Sequence, residues 1–148
     1  MRRLLVGLFL VVIATLGLTN LAFSAEPSAE QLRQTIRQYI QKQEQAMGNF
    51  TIPDPRQKGK LRTLSLVRVH ERVGKTGDSY YSCTDMKDVA TGDELDLDFD
   101  VTDTGTELKV VAARIHKDYG NPRYTYDDND NLIALSDQKL GEYSDTTE

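Results

Sequence analysis

The run Glu94-Leu95-Asp96-Leu97-Asp98-Phe99-Asp100-Val101 alternates carboxylates with apolar side chains without a break. In an extended chain successive side chains point to opposite faces, so Leu95, Leu97, Phe99 and Val101 share one face and the four carboxylates the other. A helix would spread both sets around its circumference. The run is therefore a strand of a sheet buried on one face only, and it needs hydrogen-bonding neighbours along its edges and an apolar cover.

The cover is written just upstream. After Pro27, Ser28-Ala29-Glu30-Gln31 has the form of a capping box, which opens a helix. Leu32, Ile36, Tyr39, Ile40 and Met47 then keep one apolar stripe among charged and amide side chains, and Gly48 is placed to end it. Residues 49–60, rich in proline and charge, read as a connection across the end of the sheet, with Phe50 and Ile52 one strand period apart.

The rest supplies the neighbours. Residues 61–73 form a long strand whose inward parity changes near Leu66-Val67, the signature of a bulge, after which Arg68, His70 and Arg72 project together from the outer face. Residues 74–78 read as a turn and 79–87 as the return strand. If Thr104-Gly105 is a two-residue hairpin loop, Val101 faces Leu108, Phe99 faces Val110 and Asp100 faces Lys109. One bulge residue near Val111-Ala112 then turns Ala113 and Ile115 inward and sets Arg114 against Asp96 and His116 against Glu94. Short strand-like runs at 123–126 and 132–135 flank a polar turn.

The expected fold is α+β, with one N-terminal helix packed on a curved antiparallel meander of four to six strands. From Ser28 to about Tyr126 this order of elements resembles the cystatin-like and NTF2-like architecture. The inhibitory Gln-x-Val-x-Gly segment of cystatins is absent, so the resemblance does not extend to protease inhibition.

Met1-Arg2-Arg3, the apolar run 4–18 and Ala22-Phe23-Ser24 compose a basic, apolar and small-residue sequence that reads as a signal peptide over residues 1–24, with an uncleaved anchor as the alternative. Residues 25–135 then form one domain and 136–148 a flexible acidic tail. The expected location is exported, periplasmic or extracellular, with no membrane attachment after cleavage. Without Arg2 and Arg3 the chain keeps 16 basic residues against 23 acidic ones, a balance that disfavours nucleic acid as a partner. Cys83 is the one cysteine, so no internal disulfide forms, and it reads as a small buried strand residue, with intermolecular pairing or a reactive thiol as the alternatives.

No motif of high specificity for catalysis or cofactor binding is present, and no cofactor is expected. The leading expectation is a small non-enzymatic binding protein using the sheet's concavity or its charged outer face, through Arg68, His70, Arg72, Asp96, Asp98, Asp100, Arg114 and His116, with a basic partner in view. In this reading the aspartates are solvated and neutralised by Lys109, Arg114 and His116, and the two histidines make simple surface pairs. One alternative is calcium binding by the aspartate row or by Asp127, Asn129 and Asn131, which have the spacing that opens an EF-hand loop but lack its glycine and its final glutamate. Another is a small NTF2-like enzyme with a site inside the sheet, which would require the histidines to meet a carboxylate such as Asp85 or Glu94.

Overall fold

The computed structural model describes residues 26–135; the expected signal peptide and acidic tail lie outside the described residues. Ser28 caps α1 (Ala29–Met47). Its Oγ accepts from the Gln31 amide at 3.3 Å, and the Gln31 side-chain oxygen accepts from the Ser28 amide at 2.8 Å. Gly48 closes the helix at φ +85°, a left-handed conformation that glycine adopts without strain, and its N–H donates to the Glu44 carbonyl at 2.8 Å. Leu32, Ile36 and Ile40 are buried and Tyr39 is half-buried. Met47, expected to extend the stripe, is 68 % exposed and lines an open groove instead. Among the described residues no helix is long and apolar enough to cross a membrane.

Six antiparallel strands follow as a meander in chain order: β1 (Phe50–Asp54), β2 (Lys60–Thr76), β3 (Ser79–Asp88), β4 (Glu94–Asp103), β5 (Leu108–Asp118) and β6 (Asn121–Pro122). A second, two-stranded sheet pairs β7 (Tyr124–Tyr126) with β8 (Leu132–Ala134). The molecule is thus α+β, one helix on a six-stranded antiparallel sheet.

Residues 49–60 differ from expectation, because the 5 residues Phe50–Asp54 form β1 rather than a connection. Phe50 lies opposite Leu64 and Pro53 opposite Leu61. An edge strand accommodates Pro53, since only one of its sides must donate to a ladder, and the strand period of Phe50 and Ile52 sends both into the core. The bulge in β2 falls between Leu66 and Arg68 as expected, and a second irregularity lies between Val69 and Val73. The next turn is shorter than expected, because Gly74 remains in β2 opposite Tyr81 and only Gly77-Asp78 turns. A Cβ on Gly74 would sit 2.3 Å from the Tyr81 ring, so this strand position needs glycine.

The β4–β5 register also differs. Val101 lies opposite Val110 and Asp103 opposite Leu108, two residues away from the expected pairing, and the loop has four residues. Side chains stabilise the longer loop: Asp103 accepts from the Gly105 amide at 2.8 Å, and the Thr104 hydroxyl engages Glu107. The bulge near Val111 is real, with Asp100 opposite Ala112, and a second shift at His116 sets Asp96 opposite Lys117. Ala113 and Ile115 face inward as expected.

The core lies between α1 and the inner sheet face. Phe99, 0 % exposed, sits 6.0 Å from the Tyr39 ring and 5.7 Å from the Phe50 ring. Each such buried side chain contributes about 1.5–3 kcal/mol of apolar transfer, which supports a fold without disulfides. One end of the sheet is tied by a buried ionic network. Arg62 reaches Asp88 at 2.6 Å, Asp54 at 3.4 Å and Asp93 at 3.3 Å, while Arg123 grips Asp54 at 2.7 and 3.0 Å and Asp118 at 3.1 Å.

Candidate functional site

The outer face of β4 is covered at its centre, where Asp98 is buried, while Asp96 and Asp100 on either side stay partly exposed. The β7–β8 hairpin lays Tyr124 and Tyr126 over it, and Asp98 is 1 % exposed. Both phenols donate to Asp98 Oδ2, Tyr124 at 2.8 Å and Tyr126 at 2.7 Å. Asp98 Oδ1 is buried and accepts no hydrogen bond. His116 on β5 stacks on Tyr124 with centroids 4.7 Å apart, and Tyr126 stacks on Tyr81 at 4.4 Å. A hydroxyl on an apolar ring suits this role, because the ring excludes water while the O–H satisfies the acid beneath.

The cations that meet the aspartate row are not those expected. Lys117 pairs with Asp96 at 2.8 Å and Arg114 with Asp100 at 2.5 Å, whereas Lys109 lies opposite Thr102. The two-residue change of register and the shift at His116 account for both exchanges. His116 meets Asp98 rather than Glu94, with Nδ1 3.6 Å from Oδ2. Burial opposes the Arg114 charge, but the Asp100 carboxylate outweighs it and holds the guanidinium pKa up.

Farther along the same face, Asp85 joins Arg68 and His70, the latter at 2.5 Å. Burial works against the Asp85 charge, and the hydrogen bonds from Arg68 and His70 more than offset it, so its pKa is lowered. Arg72 reaches Asp130 at 3.3 Å, and Tyr81 donates to the same Oδ1 at 2.8 Å. Asp127 spends its oxygens locally, accepting from the Asn129 and Asn131 amides at 2.8 Å each and from the Asn131 side chain. The eight expected binding residues therefore share one sheet face but are taken up in local contacts: Arg68 and His70 with Asp85, Arg72 with Asp130, Asp96 with Lys117, Asp100 with Arg114, and Asp98 with His116.

The sequence reading took Cys83 as a small buried strand residue and missed its neighbours. Cys83 on β3 lies opposite Asp98, half-buried, with Sγ 3.8 Å from His116 Nδ1. Burial first, then the negative Asp98 and Asp96, push its thiol pKa well up. Cys83 and Asp98 address the same imidazole nitrogen, so there is no relay from acid through opposite ring nitrogens to a nucleophile. The available signals were parity, which puts Cys83 on the aspartate face, and the Tyr124-Thr125-Tyr126 period.

A different feature lies beside α1. Its second half, from Thr35 to Met47, and the start of β5 bound an open groove of about 550 Å³, lined among others by Tyr39, Lys42 and Met47 of the helix and Leu108, Lys109 and Val110 of the strand. No family model, curated protein or solved structure matches the chain. What these surfaces do must be argued from their own geometry.

Proposed function

We propose that this is a small exported, non-enzymatic binding protein that holds an extended polypeptide segment, laid as an extra strand along β5 with alternate side chains in the groove beside α1. The observation that supports this reading is a strand edge running beside a groove. β5 is bonded to β4 along one side; on the other, among the described residues, only Lys117 and Asp118 form ladder pairs, with β6. Main-chain bonds to such an edge supply affinity, and pockets for alternate side chains supply specificity. Lys109 belongs to this edge strand, and Val111 is bulged in its ladder with β4; charges and bulges of that kind discourage indiscriminate pairing.

The groove chemistry defines the segment. Tyr39, Met47, Leu108 and Val110 offer apolar surface, and Lys42 and Lys109 outnumber Glu107 at its rim. A segment with alternating apolar residues and a flanking carboxylate fits. An acidic segment replaces the basic partner first expected, because Asp96, Asp98 and Asp100 are engaged by Lys117, two tyrosines and Arg114. The cystatin-like or NTF2-like assignment belongs to the same proposal, resting on the order of one helix before a meander.

The test starts with peptides selected from a displayed random library, measured by calorimetry and by amide exchange. The reading expects bound peptides to slow exchange along residues 108–115. It also expects Ala46→Glu, in the groove lining, to weaken binding by about tenfold or more without lowering the melting temperature. Peptides that protect other strands instead, or that bind the Ala46→Glu protein equally well, would overturn it.

A further inference from the structure

We propose that Cys83, Asp98 and His116 form a binding site for one divalent transition-metal ion of the zinc type, on the sheet face opposite α1. Three adjacent central strands supply one ligand each, so no loop has to order before the ion binds. Sγ of Cys83, Nδ1 of His116 and a carboxylate oxygen of Asp98 all lie within 4.8 Å of one another. Around a tetrahedral zinc ion, ordinary bond lengths separate a sulfur and a nitrogen by about 3.5 Å, and a nitrogen and an oxygen by about 3.3 Å. The corresponding separations here are 3.8 Å from Nδ1 to Sγ and 3.6 Å from Nδ1 to Asp98 Oδ2, a few tenths of an ångström wider.

The convergence of Cys83 and Asp98 on one ring nitrogen fits this assignment, because the ligands of a common ion lie close together. A second observation is independent of the cluster geometry: Asp98 is 1 % exposed, yet its Oδ1 accepts no hydrogen bond. A buried carboxylate oxygen without a donor is costly, and a metal ion would be its missing partner.

The donor set selects the ion class. A thiolate with an imidazole suits zinc and its neighbours, whereas calcium and magnesium take oxygen ligands. One thiolate and one carboxylate also balance a dication, and the adjacent Lys117 and Arg114 are paired with Asp96 and Asp100. Tyr124 and Tyr126 both donate to Asp98 Oδ2 and would fix the orientation of the carboxylate while Oδ1 stays open to the ion, the usual task of groups around a metal's ligands. Three protein ligands leave the fourth position to water.

The full mature protein, stripped with chelator, reduced and desalted, is titrated with Co²⁺ alone. The site predicts a thiolate-to-cobalt charge-transfer absorption and intense visible bands that saturate at about one equivalent and vanish on adding Zn²⁺. Cys83→Ser should abolish the charge-transfer band, and His116→Gln should keep it while weakening Zn²⁺ binding about tenfold or more. A spectrum that stays that of aqueous cobalt overturns the proposal, as does unchanged Zn²⁺ affinity in a folded Cys83→Ser protein. Alkylation of native Cys83 gives a readout that needs no variant: Zn²⁺ should slow it about tenfold or more, and an unchanged rate overturns the site.

Discussion

Replacing Asp98 by asparagine and by alanine separates its charge from its place as an acceptor. Two tyrosine hydroxyls donate to its Oδ2, and hydrogen bonds to a charged partner contribute about 1.5–3 kcal/mol each, against about 0.5–1.5 kcal/mol for neutral ones. Asparagine keeps an oxygen for both phenols and loses part of each bond. At the place of Oδ1, which accepts nothing, it puts an amide N–H2 group, so one unpartnered buried polar group replaces another. The weakened phenol bonds then dominate, and Asp98→Asn should cost about 1–2 kcal/mol. Alanine has no acceptor. It strands the Tyr124 hydroxyl, whose residue is 1 % exposed, while Tyr126 is half-exposed and can turn to water. We expect Asp98→Ala to cost about 2–4 kcal/mol, lowering the melting temperature by about 8–16 °C. Urea unfolding followed by circular dichroism, with chelator present to keep metals out, measures both variants, and the slope with denaturant should be unchanged. An asparagine variant as unstable as the alanine one would refute the reasoning, because the charge rather than the acceptor would then hold the hairpin.

Phe99→Ala should cost about 3–5 kcal/mol in the same assay, since the ring is fully buried between Tyr39 and Phe50; a loss below about 1 kcal/mol would show that the helix does not pack there. Arg62→Ala should cost about 3–5 kcal/mol by leaving Asp54 and Asp88 buried without this partner, and Arg62→Lys should recover only part of it. The Asp54 and Asp88 carboxyls, where burial is outweighed by hydrogen bonds from Arg123 and Arg62 respectively, have pKa values lowered by folding. Stability from them is complete above the unfolded value of about 3.9 and is lost as pH falls through the lower folded values. A melting temperature that holds constant from neutrality to strongly acid pH would contradict this.

Local chemistry made much of the fold legible. The capping box, Gly48 and the alternation of residues 94–101 are short-range constraints, and they appear where the sequence placed them. The bulges beside Val67 and Val111 were readable because a change of parity on a one-sided sheet has no other inexpensive solution. The β4–β5 register was not readable. Two-residue and four-residue loops both keep apolar side chains together, and hydrogen bonds from Asp103 and Thr104 favour the longer one. That slip of two residues exchanged the cations facing the aspartate row.

The acidic strand shows where sequence ends and tertiary structure begins. Alternation by itself determined that Leu95, Leu97, Phe99 and Val101 go to the core and that Asp96, Asp98 and Asp100 share the other face, because side-chain direction in a strand is a property of the backbone alone. Whether that face meets water was decided by the β7–β8 hairpin, which folds back from 26 residues beyond Asp98 to bury it under Tyr124. Likewise, only cross-strand pairing could bring Cys83, Asp98 and His116 within reach of one ion, and only the position of α1 beside β5 could make a groove. These juxtapositions join residues far apart in the chain, and no local pattern encodes the distance between them.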